Sequence, residues 1–182
     1  VTDGLRIQSV LALAALALTV AASGAAGTPP GETPGDEWLA HVEWVNHAPL
    51  GAPDLRGHVV VVEFWAFECI NCRRTVPAMR KLSETFKGSN VLILGLHSPE
   101  LDEERVRANV VEAVKQYQLD YPVAQDNEFA AWRAFGNQYW PALYVLDGAG
   151  RVRARHIGEL HLGTPEWNSL VGTIRDLARS HS

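Results

Sequence analysis

A chain of 182 residues, 47% hydrophobic and 20% charged, carries enough apolar material for one sizeable core and is no disordered tail. A net charge of −5 without any run of Lys or Arg excludes a nucleic-acid binder, since Arg73-Arg74 and the alternation Arg151, Arg153, Arg155 are too small a footprint. Only two cysteines are present, too few for a disulfide-stapled scaffold, and the seven histidines lack metal-like spacing and read mostly as surface.

The first 27 residues contain Arg6, an uncharged apolar run from Val10 to Ala22, and the small residues Ser23-Gly24-Ala25-Ala26-Gly27. Basic, apolar and small residues in that order form the layout of a secretory signal peptide. The apolar run is shorter than the roughly 20 residues of a membrane span. Asp3 offsets Arg6, however, which leaves an uncleaved N-terminal anchor open. Residues 1–26 are therefore expected to be a signal peptide or membrane anchor, 27–37 a Pro/Gly-rich linker, and 38–182 the folded domain. Either fate of the first segment places the domain outside the cytoplasm, whether periplasmic, secreted or membrane-anchored.

Trp38 to Pro53 is turn-rich and reads as a strand and loop on the domain's edge. The β-branched run 58–64 reads as a strand covered on both faces. It leads directly into Cys69-Ile70-Asn71-Cys72, after which Val76, Met79, Leu82 and Phe86 recur at helical spacing, with Pro77 expected to kink the helix. Residues 91–96 form a second buried strand. A helix follows with Val106, Val110, Val111 and Val114 along one stripe, then a short helix over 128–135 that buries Phe129, Trp132 and Phe135. Residues 142–146 and 152–157 make a hairpin around Asp147-Gly148-Ala149-Gly150. The last helix takes Thr164 as N-cap and Pro165 as its first residue, with Trp167, Leu170, Val171, Ile174 and Leu177 as its apolar face. Two parallel strands joined by a crossover helix, then a hairpin and a final helix, give an α/β domain: a central mixed β-sheet with helices on both faces.

A C-x-x-C at a strand-to-helix junction has a physical logic. The first sulfur meets unpaired backbone N–H groups and the positive end of the helix, which stabilise a thiolate, the form that attacks disulfides. Cys69 is thus the candidate nucleophile, and Cys72, one turn deeper, the resolving thiol. A bridge over so short a loop removes little entropy from the unfolded chain, so stapling is a poor explanation for the pair. Half of a zinc site is the competing reading, but it lacks further ligands. No metal is expected, and no cofactor beyond the redox-active Cys69–Cys72 disulfide itself.

Phe64-Trp65-Ala66-Phe67-Glu68-Cys69-Ile70-Asn71-Cys72-Arg73-Arg74, with Pro77 beyond, resembles the active-site segment of the thioredoxin superfamily. More narrowly it is similar to the TlpA-related extracytoplasmic branch and its DipZ-like domains with a C-I-N-C centre. The resemblance extends to His97-Ser98-Pro99-Glu100, Tyr121–Asn127 and Trp140-Pro141-Ala142. It implies a thioredoxin fold and a cis bond between Trp140 and Pro141 beside the C-x-x-C, with the Trp140 backbone available to an incoming peptide. Trp65, Trp140, Ile70 and Asn71 are the residues it places along the substrate groove. One departure is Gly158-Glu159-Leu160, where such domains often carry a second Gly after the Glu.

Glu63 interrupts the Val-rich strand six positions before Cys69. The resemblance implies a buried acid that shuttles the Cys72 proton; an edge carboxylate paired with Lys or Arg is the other reading. Glu68, next to Cys69, should oppose thiolate formation, and Asn71 brings no positive charge, so a reducing poise is expected. Exported proteins with disulfides are the expected partners, with a CcdA-type membrane protein as electron donor and the chain itself a monomer. A thiol peroxidase would want a Thr two or three residues before the reactive Cys, where Phe67 and Ala66 stand. Thiol-based copper handling or partner docking is the remaining alternative.

Overall fold

The computed structural model describes residues 27–180. The expected signal peptide or anchor, 1–26, lies outside the described residues. Six strands form one sheet in the order β1-β4-β3-β2-β5-β6. They are β1 (Glu43–Trp44), β2 (Val59–Trp65), β3 (Val91–His97), β4 (Val123–Gln125), β5 (Ala142–Leu146) and β6 (Val152–Ile157). Five α-helices accompany them: α1 (Ala52–Leu55), α2 (Ile70–Phe86), α3 (Arg107–Gln116), α4 (Ala130–Ala134) and α5 (Pro165–Ser180). Two 3₁₀ turns, Glu37–His41 and Asp102–Arg105, complete the order.

The centre of the sheet is β2, all seven residues of which are buried. It runs parallel to β3 from Val59↔Val91 to Trp65↔His97, and antiparallel to β5. Its two faces serve different cores. Val59, Val61 and Trp65 pack with Met79 and Leu82 of α2, Val110 and Val114 of α3, and Leu170 and Ile174 of α5. Val60, Val62 and Phe64 pack with Phe135, Tyr144, Trp38 and Trp44 on the opposite face. Each fully covered Val contributes roughly 1.5 kcal/mol of apolar burial. Burial on both faces makes β2 a firm anchor for the C-x-x-C just beyond its C-terminal end. Among the described residues no helix is long and apolar enough to cross a membrane.

The mixed sheet with helices on both faces matches the sequence expectation, with local differences. β4, a three-residue strand parallel to β3, has no counterpart in the sequence pattern. α3 begins one residue after Val106, which is half exposed, so its buried stripe is Val110, Ala113 and Val114. α4 is shorter than 128–135; Ala131 and Phe135 are buried, while Phe129 and Trp132 are only partly covered. Pro77 lies inside α2, as the sequence pattern indicates. Thr164 Oγ1 accepts from Trp167 N–H at 3.3 Å and so caps α5 as anticipated.

The stretch 27–37, expected as a linker, is tied to the domain. Thr28 N–H donates to Phe135 O (2.6 Å), Gly31 N–H to Val152 O (2.7 Å), and Val152 N–H to Glu32 O (2.8 Å). Its Pro and Gly residues prevent regular structure, but they leave enough backbone donors and acceptors to extend the pairing of β6 at its start.

Candidate active site

Where β2 ends, Ala66–Glu68 carry the chain to Cys69, which is the N-cap of the 17-residue helix α2. Its sulfur accepts from the Cys72 N–H at 3.4 Å. Cys69 is partly exposed and Cys72 is buried, both as free thiols. The Cys69 thiol is drawn down to about 7, chiefly by the hydrogen bond from the Cys72 thiol. Partial burial opposes this, the N–H groups of Cys72 and Asn71 assist it, and the charge of Glu100 opposes it. The same thiol–thiol hydrogen bond, with burial, holds Cys72 far above the ordinary thiol range. One sulfur is therefore prepared as a nucleophile and the other kept protonated.

Glu100 is the carboxylate whose charge opposes the Cys69 anion. Glu100 lies with the sulfur along one groove, and the backbone N–H of Glu68, beside Cys69, is tied to the Glu104 carboxylate. That groove, about 380 Å³, is lined by Glu68, Cys69, Ile70, Asn71, Glu100, Leu101 and Trp140. Ile70 and Leu101 are about half exposed there. Trp140 is held by its Nε1–H, which donates to Ser98 O (3.0 Å), and by its ring, 4.1 Å from that of Trp132. The Trp140–Pro141 peptide bond is cis.

Trp65 does not line the groove. The alternation along β2 puts it on the same face as Val59 and Val61, 2% exposed, with its ring edge-on to His97 (5.0 Å) and Tyr117 (6.2 Å). Of the groove residues expected from the sequence, Trp140, Ile70 and Asn71 surround Cys69, and Trp65 lies in the core behind it.

Glu63 lies in the central strand, 2% exposed, with no Lys or Arg partner among the described residues, so the edge-carboxylate reading is wrong. Burial pushes its carboxyl up to about 8; the Tyr121 hydroxyl, donating to Oε2 at 3.1 Å, pulls it back, and the Cys69 charge raises it again. Its charge is near enough to raise the Cys72 thiol. Directly opposite Glu63 in the neighbouring strand is Gly95, where a Cβ would come within 3.1 Å of both Tyr121 Cε2 and Trp65 Nε1. The missing side chain is what lets the Tyr121 ring reach the acid.

Several further residues of the site have no role assigned by the sequence pattern. His97, within a segment that resembles the family, is fully buried, stacked on Phe67 (5.4 Å), and its Nε2 accepts from Phe67 N–H at 3.3 Å. Burial depresses it to about 4, so it is neutral. Tyr117 donates its hydroxyl to Phe67 O (3.0 Å), fixing the other side of the same residue. Asp126, fully buried, accepts from Trp132 N–H, Ala131 N–H and Ser98 Oγ, which ties α4 to the groove. The loop after β6 is also settled: Gly158 has φ +97°, Leu160 N–H donates to Thr75 Oγ1 (3.2 Å), and Glu159 pairs with Arg74 (3.0 Å), so a second Gly is not needed. Among the described residues no cluster of three or more His, Cys, Asp or Glu is arranged to hold a metal ion.

Residues 44–155 match the AhpC/TSA family. The chain belongs to that family. Protein DipZ of Mycobacterium tuberculosis is 39% identical over 119 residues, 64% of this chain but 17% of DipZ, so the likeness covers one segment of a much longer protein. The thiol-disulfide oxidoreductase YkuV of Bacillus subtilis is 22% identical over 120 residues, 66% of this chain and 80% of YkuV. Among solved structures, a thiol-disulfide isomerase from Corynebacterium glutamicum superposes with a TM-score of 0.64 at 27% identity, over 75% of this chain and 90% of that one. The thioredoxin-like fold is common to this AhpC/TSA chain and that enzyme.

Proposed function

We propose that this member of the AhpC/TSA family is an extracytoplasmic thiol–disulfide oxidoreductase that reduces disulfides in exported proteins. The observation that carries the reading is the asymmetry of the two sulfurs: Cys69 at a helix N-cap, lowered to about 7, and Cys72 buried one turn deeper and held as the thiol. The Cys69 thiolate attacks one sulfur of a substrate disulfide, forms a mixed disulfide, and releases the other substrate sulfur as a thiolate. Cys72 then loses its proton and attacks Cys69 Sγ, which closes the Cys69–Cys72 bond and frees the second substrate thiolate. Two electrons pass to the substrate. A membrane dithiol protein of the CcdA type would return them.

Glu63 supplies a timed base. Its carboxyl is held up in part by the Cys69 anion, and that charge vanishes when the mixed disulfide forms. Glu63 then ionises more readily, at the moment Cys72 has a proton to give. Ala66 and Phe67, both buried and without a hydroxyl, stand where a peroxide-binding Thr would be needed, which disfavours peroxide reduction.

Location outside the cytoplasm is supported by the signal-like composition of residues 1–26. The reducing direction is supported by Glu100 opposing the thiolate and by the neutral Ile70-Asn71 between the cysteines. A redox titration is expected to give a midpoint near about −270 mV, and a midpoint near about −120 mV would overturn the reducing role. In parallel, the reduced protein should cleave the insulin disulfides, and Cys72→Ser should accumulate substrate proteins in mixed disulfides at Cys69.

A further inference from the structure

Glu104 is fully buried, yet it belongs to neither the C-x-x-C nor the Glu63–Tyr121 pair. Its two carboxylate oxygens face different segments. Oε2 accepts from Glu100 N–H (2.6 Å) and Leu101 N–H (2.9 Å), which lie on one wall of the groove. Oε1 accepts from Glu68 N–H (2.8 Å), the residue immediately before Cys69 on the other wall. The Oε2 contacts are what a third-position Glu of a helical turn ordinarily makes with its own N-terminus. The Oε1 contact is not: it spans 36 residues and joins the 3₁₀ turn Asp102–Arg105 to the nucleophile's loop. Gln125 in β4 fixes the turn in place, donating from Nε2 to Glu104 O and Arg105 O, each at 3.0 Å.

The geometry points to Glu104 as the positioning residue that sets the spacing of the substrate groove, one oxygen to each wall, so that a protein disulfide meets Cys69 between Ile70 and Leu101. This rests on the oxidoreductase reading above. The chemistry of the side chain makes the inference specific. An ionised carboxylate is acceptor-only on both oxygens, whereas a carboxamide has one acceptor oxygen and one NH₂. Whichever way a Gln at this position turns, its NH₂ confronts a backbone N–H on one wall, and the link between the walls is lost while the volume is kept.

The test uses the reduced full chain in single-turnover stopped flow with two probes, insulin and bis(2-hydroxyethyl) disulfide. The small disulfide needs only the thiolate; insulin must also fit the groove. Glu104→Gln is expected to raise the half-saturating insulin concentration by about tenfold, as one unpaired buried donor implies, with the small-disulfide rate and its pH profile unchanged within about twofold. Equal loss with both probes, or no loss with either, would overturn the proposal. A wild-type chain that reduces neither probe would overturn the oxidoreductase reading, and this inference with it. Should Glu104→Gln fail to fold, amide exchange in the wild type decides: the Glu68, Glu100 and Leu101 amides are expected to be protected by about 100-fold or more, and free exchange at any of the three defeats the assignment.

Discussion

Both ends of β2 hold buried carboxylates, and they are built in opposite ways. At the hairpin end, Asp147 accepts from Ala149 N–H and Arg151 N–H and from the guanidinium groups of Arg151 and Arg153. Every partner lies within six residues, and Gly150 at φ +77° lets the turn close around the acid. At the cysteine end, Glu63 takes a partner 58 residues away, Glu104 adds to its two local bonds one that reaches 36 residues back, and neutral His97 accepts from a residue 30 positions back. The hairpin acid is paired with cations and stabilises the turn that contains it. The acid beside the cysteines faces a hydroxyl instead, and its burial works against the charged form. Stability is built locally at one end and given up for chemistry at the other.

Glu63 offers the largest way to break that contrast. Its carboxyl is near 4.5 when unfolded and about 8 when folded, so the native state holds a proton that the unfolded state has lost between those values. Its contribution to stability is complete below about pH 4.5 and lost as pH rises through 8, a swing on the order of 5 kcal/mol. Glu63→Gln keeps the shape and cannot ionise. Relative to wild type, its urea midpoint should therefore gain between pH 4.5 and pH 8. Resolution of the mixed disulfide should become slower over the same range. A parallel pair of stability curves would mean that Glu63 is not buried as an acid.

His97 sharpens the contrast with the opposite sign. A base normally at 6.5 is held at about 4, so the unfolded chain binds a proton that the native state refuses between those values. Its contribution is complete above about pH 6.5 and lost as pH falls to 4, on the order of 3 kcal/mol. Over pH 4.5–6.5 it offsets Glu63. His97→Phe removes the titration and leaves Phe67 N–H without its acceptor, a constant cost at every pH. The difference between variant and wild-type urea curves should therefore shift in the variant's favour as pH falls from 6.5 to 4. A difference that does not change with pH would show that His97 titrates normally.

The same distinction between local and distant partners decides what can be read from the sequence. β2, β3, the β5–β6 hairpin and α5 announce themselves through short-range signals: continuous Val, the Asp147–Gly150 turn, and Thr164-Pro165. The spacing of Cys69 and Cys72 and the interruption at Glu63 are equally local, and they bring attention to the correct end of the sheet. The pairing of Tyr121 with Glu63 cannot be read from the sequence, because the partner is in another strand and the approach depends on Gly95 having no Cβ. Nothing in Asp102-Glu103-Glu104 distinguishes the third acid from its exposed neighbours. Trp65 falls in the core rather than the groove because a strand buried on both faces gives no sign of which face borders the site. β4 is three residues beside a proline, below the length at which alternation can be recognised.

Asp147 closes the comparison from the other end, with the smallest effect. Asp147→Asn retains an oxygen for the Ala149 and Arg151 amides but no charge for Arg151 and Arg153, whose side chains are about half exposed. Solvent screens much of what those pairs contribute, so the cost is that of a weakened turn, about 1 kcal/mol. The loss should be independent of pH between 6 and 9, because the wild-type carboxyl is ionised throughout. Insulin reduction and the Cys69 titration should be unchanged, since β2 separates this turn from the cysteines by its whole length. If Asp147→Asn instead altered the thiol chemistry, the two ends of β2 would be coupled through the strand, and the division of labour drawn from their partners would fail.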